Sequence, residues 1–359
     1  MAASSGTPPL NAVYYPSWRI YKGIAPSHLQ LDYINRVYYA FILANEDGTL
    51  RSLDTHADHA IAVDGASGCI TATARLKHIS PLGHGLQILA SIGGGSGSAP
   101  FPALAASPAA RETFARECRH FVDAHGFDGV DIDWEHPQDS AAGADYIALL
   151  ATLRQHLPAP RYLLTTALPV GQWVLRHIDL RAAAGLLDSL NLMAYDFTGS
   201  WTEVCGHQAQ LLAPGAGAME DCHPVLRKSA HEGVEYVVSR GFPRDKIVLG
   251  VPAYARSFAG ARGAGQPFGG AEEMDYVDLP REWIHHAQID QRTGAAWYVD
   301  DDGNGGGKGF VSFDVPETVR QKGAYARTLG LGGLFYWTGA GDINGPESLV
   351  KAGYEGLRR

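Results

Sequence analysis

Phe127-Asp128-Gly129-Val130-Asp131-Ile132-Asp133-Trp134-Glu135-His136-Pro137 sets acids against apolar residues one for one. From Asp131 every second residue is an acid, and Val130, Ile132 and Trp134 interleave with them. In a β-strand successive side chains point to opposite faces, so Asp131, Asp133 and Glu135 share one face and the apolar trio the other. Neighbours in such a row lie about 6–7 Å apart along the strand. Three carboxyls on an interior face repel one another and are costly to desolvate. Protons shared along the row relieve this and push the pKa values apart. That separation lets one site hold an acid and an anion at the same pH. A solvated edge strand explains the alternation but not the apolar opposite face. A metal-binding Asp-x-Asp lacks a neighbouring histidine cluster.

The same kind of apolar run recurs on both sides of this segment. Candidate strands are Ala12–Pro16, Arg36–Leu43, Leu86–Ser91, Gly129–Trp134, Tyr162–Leu168, Ser189–Ala194, Lys246–Pro252 and Gly333–Trp337. Most are continuous, as expected for strands covered on both faces. In Arg111–His125, Phe114, Cys118, Phe121 and Val122 fall on one helical face, and Gly126 supplies the stop. Ala142–His156, Val225–Arg240 and Glu317–Leu329 read as helices by the same test. Eight strands alternating with helices point to a (β/α)8 TIM barrel, with Glu135 at the strand end where barrel active sites are built. An open doubly wound sheet shows the same alternation. Between the seventh strand and the last helix lie about fifty residues, Ala259 to Gly309, too many for a structureless connection. They are read as a small α+β insertion subdomain over 259–309, with 1–258 and 310–359 forming the barrel.

The chain has 359 residues, 45% hydrophobic, with 19% charged residues and a net charge of −9. No basic run is present, which argues against a nucleic-acid backbone as partner. No apolar run is long enough to span a membrane. Met1–Pro9 lacks the cationic start and apolar stretch of a signal peptide, which fits a cytoplasmic protein or an exported one without its signal. A monomer without cofactor or metal is expected. None of Cys69, Cys118, Cys205 and Cys222 has Cys-x-x-Cys spacing. Cys205 and Cys222 flank one loop and can pair only in an oxidising compartment. Gly93–Ser98 lacks dinucleotide-binding spacing. Asp300–Gly305 starts like a calcium loop, but the twelfth position is Val311, so a hairpin turn is expected instead.

Asp128-Gly129-Val130-Asp131-Ile132-Asp133-Trp134-Glu135 resembles the DGxDxDxE signature of family 18 glycoside hydrolases, the chitinase family. Ser91-Ile92-Gly93-Gly94 resembles the family's SxGG, Met193-Ala194-Tyr195-Asp196 its MxYD, and Tyr254-Ala255-Arg256 its Tyr-x-Arg. Tyr14-Tyr15-Pro16-Ser17-Trp18 is similar to its first strand and Trp337 to its strand-eight tryptophan. The likeness covers roughly residues 11–340, and the segment after strand seven resembles the chitinase insertion domain.

The resemblance implies a chitin or chitooligosaccharide substrate and substrate-assisted retaining catalysis. Glu135 then protonates the glycosidic oxygen, Asp133 stabilises the oxazolinium ion, Asp131 shares a proton with Asp133, and Tyr195 orients the acetamido group. It also implies substrate contacts from Asp196, Met193, Arg256, Trp337, Tyr15, Trp18 and Trp201. The residues alone allow plainer roles: Tyr195, Met193 and Trp337 as core, Asp196 as a turn cap, Arg256 as the partner of a local carboxylate. Many relatives place a tryptophan directly after SxGG, where this chain has Gly95, so weaker product-side binding is expected. A chitin-binding lectin would lack Glu135. An enzyme cutting the diacetylchitobiose core of N-glycans would share the strand-four acids but fits the insertion and Tyr-x-Arg less well.

Overall fold

The computed structural model describes residues 8–215, 222–301 and 306–358. Eight parallel strands form the centre: β1 (Leu10–Pro16), β2 (Arg36–Ala44), β3 (Gln87–Gly93), β4 (Gly129–Asp133), β5 (Leu163–Pro169), β6 (Ser189–Met193), β7 (Ile247–Pro252) and β8 (Gly333–Trp337). They pair in chain order, and β8 pairs with β1, Leu10 lying opposite Gly333. The sheet is therefore a closed (β/α)8 barrel and not an open one. Closure explains the continuous apolar runs, because both faces of each strand are covered; β2 is buried along its whole length. A short strand, Leu50–Ser52, adds antiparallel to β2 outside the ring.

Helices pack on the outside where their caps dictate. Ser107 accepts a hydrogen bond from the Ala110 amide and opens Pro108–His125, which Gly126 ends at φ 69°. Asp139 opens Ser140–His156 in the same way. The helix expected over Val225–Arg240 is broken. A 3-10 turn, Pro224–Arg227, comes first, Lys228 is extended, and Ser229 accepts from the Glu232 amide to start Ala230–Ser239. The Ser229 cap outcompetes a continuous helix there.

The apolar set of β4 packs outward into the barrel–helix layer, where Trp134 stacks on Phe101 at 5.6 Å and 11°. A buried indole of this kind contributes about 3–5 kcal/mol relative to alanine. Asp131 and Asp133 therefore point into the barrel, among Tyr14, Tyr38 and Phe335. The end of β3 approaches β4 closely enough that a Cβ at Gly93 would lie 2.3 Å from the Asp133 carbonyl oxygen. The Gly94 amide donates to that same oxygen at 2.8 Å.

After β7 the chain builds a second, antiparallel sheet. Its strand order is Ala271–Asp275, Tyr254–Phe258, Gly309–Phe313, Ala295–Asp300, Gln288–Asp290. The sheet extends beyond 259–309 at both ends, because the segments flanking that range pair with each other. The turn expected over Asp300–Gly305 lies in part outside the described residues, as does Met1–Pro9. The buried Cys205 thiol donates to the Gly263 carbonyl at 3.0 Å and forms no disulfide with Cys222. Among the described residues no helix is long and apolar enough to cross a membrane.

Candidate active site

Asp131 is fully buried and surrounded by donors. Tyr14 and Ser91 hydroxyls donate to Oδ2 at 2.8 and 2.9 Å. Thr165 and the Asn191 amide donate to Oδ1 at 2.6 and 3.3 Å. Burial pushes its pKa up, and the bonds from Thr165, Tyr14 and Ser91 pull it down. A proton on Asp131 would displace one of these donors. Asp133 stands in the opposite position: it is 4% exposed, and its Oδ1 has no partner among the described residues. Burial, then the charges of Glu135 and Asp131, hold its pKa well above the carboxylate range. Of the two, Asp133 has the surroundings that favour a proton more.

Glu135 follows just past the strand end. Its amide donates to Ser98 Oγ at 2.8 Å, and its side chain is 30% exposed. Burial and the Asp196 charge raise its pKa. His136 Nε2 lies 3.8 Å from Glu135 Oε2, but burial lowers the imidazole pKa to about 4. At neutral pH that ring carries no charge that would stabilise the Glu135 anion. The row thus grades from a hydrogen-bond-saturated acid, through an unpartnered one, to a half-open one.

The loop after β6 brings Tyr195 and Asp196 alongside. Burial and the nearby carboxylates, Asp133 foremost, raise the Tyr195 pKa and keep its hydroxyl a neutral donor. Asp196 is held at φ 61°, a left-handed conformation costing a non-glycine residue about 1 kcal/mol. Its Oδ1 accepts from Tyr254 at 2.6 Å and Arg256 Nε at 2.8 Å.

Two cavities meet at Glu135, Met193, Tyr195 and Asp196. The inner one, about 160 Å³, is floored by Trp337 with Phe41, Tyr14 and Asp133. Trp337 stacks on Phe41 at 5.6 Å and 23°. The outer one, about 650 Å³, is lined by His136, Trp173, Phe197, Trp201 and Lys228 among others. Among the described residues no cluster of three or more His, Cys, Asp or Glu is arranged to hold a metal ion.

The acid row ends in a cleft at the barrel mouth, and comparison with known proteins gives its family. The family model "Glycosyl hydrolases family 18" matches residues 11–342. The chain is a family 18 glycosyl hydrolase. It is 32% identical to Chitinase 1 of Aphanocladium album, over 97% of this chain and 85% of that one. It is also 32% identical to Endochitinase 1 of Metarhizium robertsii, over 95% of this chain and 83% of that one. Its fold matches the Ostrinia furnacalis Group IV chitinase crystallised with allosamidin, with a TM-score of 0.82 and 25% identity, covering 96% and 97% of the two chains.

In this family 18 hydrolase the structure brings Asp131, Asp133, Glu135, Met193, Tyr195, Asp196 and Trp337 to the inner cavity or directly behind it. Trp201 lines the outer cavity. Trp18 sits 6.4 Å from Trp337 and extends the floor outward. Two expectations need correction. Tyr15 does not face the cleft: it is fully buried in the barrel–helix layer and its hydroxyl donates to the Ile24 carbonyl. Tyr14, one residue earlier, takes the inward position. Arg256 lines neither cavity; it pairs with Asp196 and with Glu273 at 3.3 Å, and backs the Trp201 ring at 4.8 Å. Ser91, from the SxGG-like segment, is a donor to Asp131. Thr165, Asn191, Phe41, Ser98 and Trp173 were not anticipated. Thr165 and Asn191, polar residues inside apolar strands, carried a visible signal.

Proposed function

We propose that this family 18 enzyme is a chitinase that cleaves β-1,4 linkages between N-acetylglucosamine units with retention of configuration. The graded row of acids carries the reading. Glu135 transfers its proton to the glycosidic oxygen as the anomeric C–O bond breaks. The substrate's own acetamido oxygen bonds to the anomeric carbon, giving an oxazolinium ion. Asp131, saturated by four donors, has no capacity for a further contact, whereas Asp133 has an oxygen unpartnered in the protein. Asp133 accepts from the acetamido N–H and, once its resting proton has passed to Asp131 in exchange for one of that residue's donors, offsets the positive intermediate as an anion. Tyr195 donates its hydroxyl to the acetamido oxygen. Water then attacks the anomeric carbon and returns a proton to Glu135. Trp337 offers an apolar floor to the C–H face of the distorted ring.

Proton NMR of chitooligosaccharide cleavage tests this. The newly formed reducing end should appear first as the β-anomer, with the α-anomer arising only by slow mutarotation. Initial α-anomer would rule out the retaining mechanism, and no cleavage would rule out the activity.

A second consequence concerns pH. The Asp196 charge helps to raise the Glu135 pKa. Glu135 must be protonated to act as acid, so activity falls as pH rises through its pKa. Asp196→Asn removes the charge, lowers that pKa and moves the alkaline limb of the kcat profile to lower pH. The kcat at the optimum should also fall about tenfold, the scale of one lost charge-assisted hydrogen bond. An alkaline limb left in place would mean that Asp196 does not act on Glu135.

A further inference from the structure

The outer cavity contains an aromatic surface of which one member, Trp173, has no role so far. Trp173, from the loop after β5, and Trp201, from the loop after β6, are each 57% exposed, and both line this cavity. Indoles are seldom left so open, and two in one concave site mark a contact surface. They are seated alike. A Cβ at Gly171 would lie 2.3 Å from Trp173 Nε1, and one at Gly199 would lie 2.4 Å from Trp201 Cη2. Each ring thus rests on the bare backbone of a glycine two residues before it. Trp173 is further braced by the His136 ring, edge-on at 4.9 Å and 80°. His136 directly follows Glu135, so the brace ties this indole to the acid.

Trp337 belongs to the inner cavity and Trp173 to the outer one, with Glu135 common to both. Gly95 leaves the acid uncovered on its own loop: a Cβ there would meet only the Glu135 carboxylate oxygens, at 3.8 and 3.9 Å. We infer that Trp173 is a stacking platform for a sugar on the leaving-group side, supplied from a different loop than Gly95. The assignment rests on the proposed chitinase activity. It makes Trp173 a determinant of oligomer length preference and of transfer to sugar acceptors.

Two substrates separate the sides of the acid. Chitohexaose spans both cavities, whereas the oxazoline of N,N′-diacetylchitobiose leaves the leaving side empty. In Trp173→Ala, KM for chitohexaose should rise about three- to tenfold, the scale of one aromatic contact, with kcat changed by less than about twofold. Transfer from the oxazoline to an added chitooligosaccharide should fall in proportion, while oxazoline hydrolysis stays within about twofold of wild type. Trp173→Phe should recover most of the loss. Gly171→Ala, which keeps the indole but removes its seat, should behave like Trp173→Ala. Unchanged hexamer KM and transfer in both alanine variants would overturn the proposal, as would oxazoline hydrolysis falling in parallel with hexamer cleavage. A wild type that processes neither substrate would overturn the chitinase reading and this assignment with it.

Discussion

Glu135→Gln is expected to lower the rate of chitohexaose cleavage by about 10³- to 10⁴-fold, the span of a general acid's contribution together with its later role as base. Glutamine keeps the shape and hydrogen-bonding reach of the side chain but has no proton to transfer. The backbone at this position is fixed independently, by the amide bond to Ser98. Oligomer affinity should therefore stay within about twofold of wild type, which titration followed by tryptophan fluorescence would measure. No neighbour is placed to replace it. His136 is neutral at working pH because burial lowers its pKa to about 4. The Asp196 carboxylate is already engaged by Tyr254 and Arg256. A drop of less than about tenfold would show that another acid does the protonation.

The row of acids could be read from sequence because it breaks a rule. Stability alone would not place Asp131, Asp133 and Glu135 on the inward face of a strand whose other face is Val130, Ile132 and Trp134. Strand centres were legible for the related reason that barrel strands are apolar on both faces. That same property hid the facing of β1. Tyr14 and Tyr15 are both fully buried aromatics, and nothing in their composition says which points inward. Only the register, with Tyr14 reaching Asp131 across the barrel, decides it. Arg256 was ambiguous because its partners, Asp196 and Glu273, are 60 and 17 residues away in sequence. Trp173 carried no signal in the sequence; its exposure and its seat on Gly171 exist only in three dimensions. The inner strands Tyr254–Phe258 and Gly309–Phe313 of the second sheet had no separate signal in the sequence because each adjoins a barrel element and reads as its continuation.

Asp133→Asn should lower kcat by about 10²- to 10³-fold and at the same time stabilise the protein above neutral pH. The loss follows from charge: asparagine cannot become the anion that offsets the oxazolinium ion. The gain follows from what Asp133 does at rest. It is buried, has an unpartnered oxygen, and lies beside two other carboxyls. Its folded pKa is raised above the unfolded value, so the folded state holds this proton more tightly. That contribution to stability is fully present below the unfolded pKa and is lost as pH rises through the folded pKa. Asparagine is isosteric and stays neutral, so the variant escapes the loss. Melting curves should nearly coincide at pH 4, where Asp133 is protonated anyway. At pH 9 the variant should melt higher, by on the order of 2–4 °C. A gap of the same size at both pH values would mean that the effect is packing and not charge. A variant less stable at pH 9 would mean that Asp133 has a stabilising partner when ionised, and that the resting proton lies on Asp131. The two readouts thus bear on one question, because the strain of an unpaired interior carboxyl is the property that makes it available to a positive intermediate.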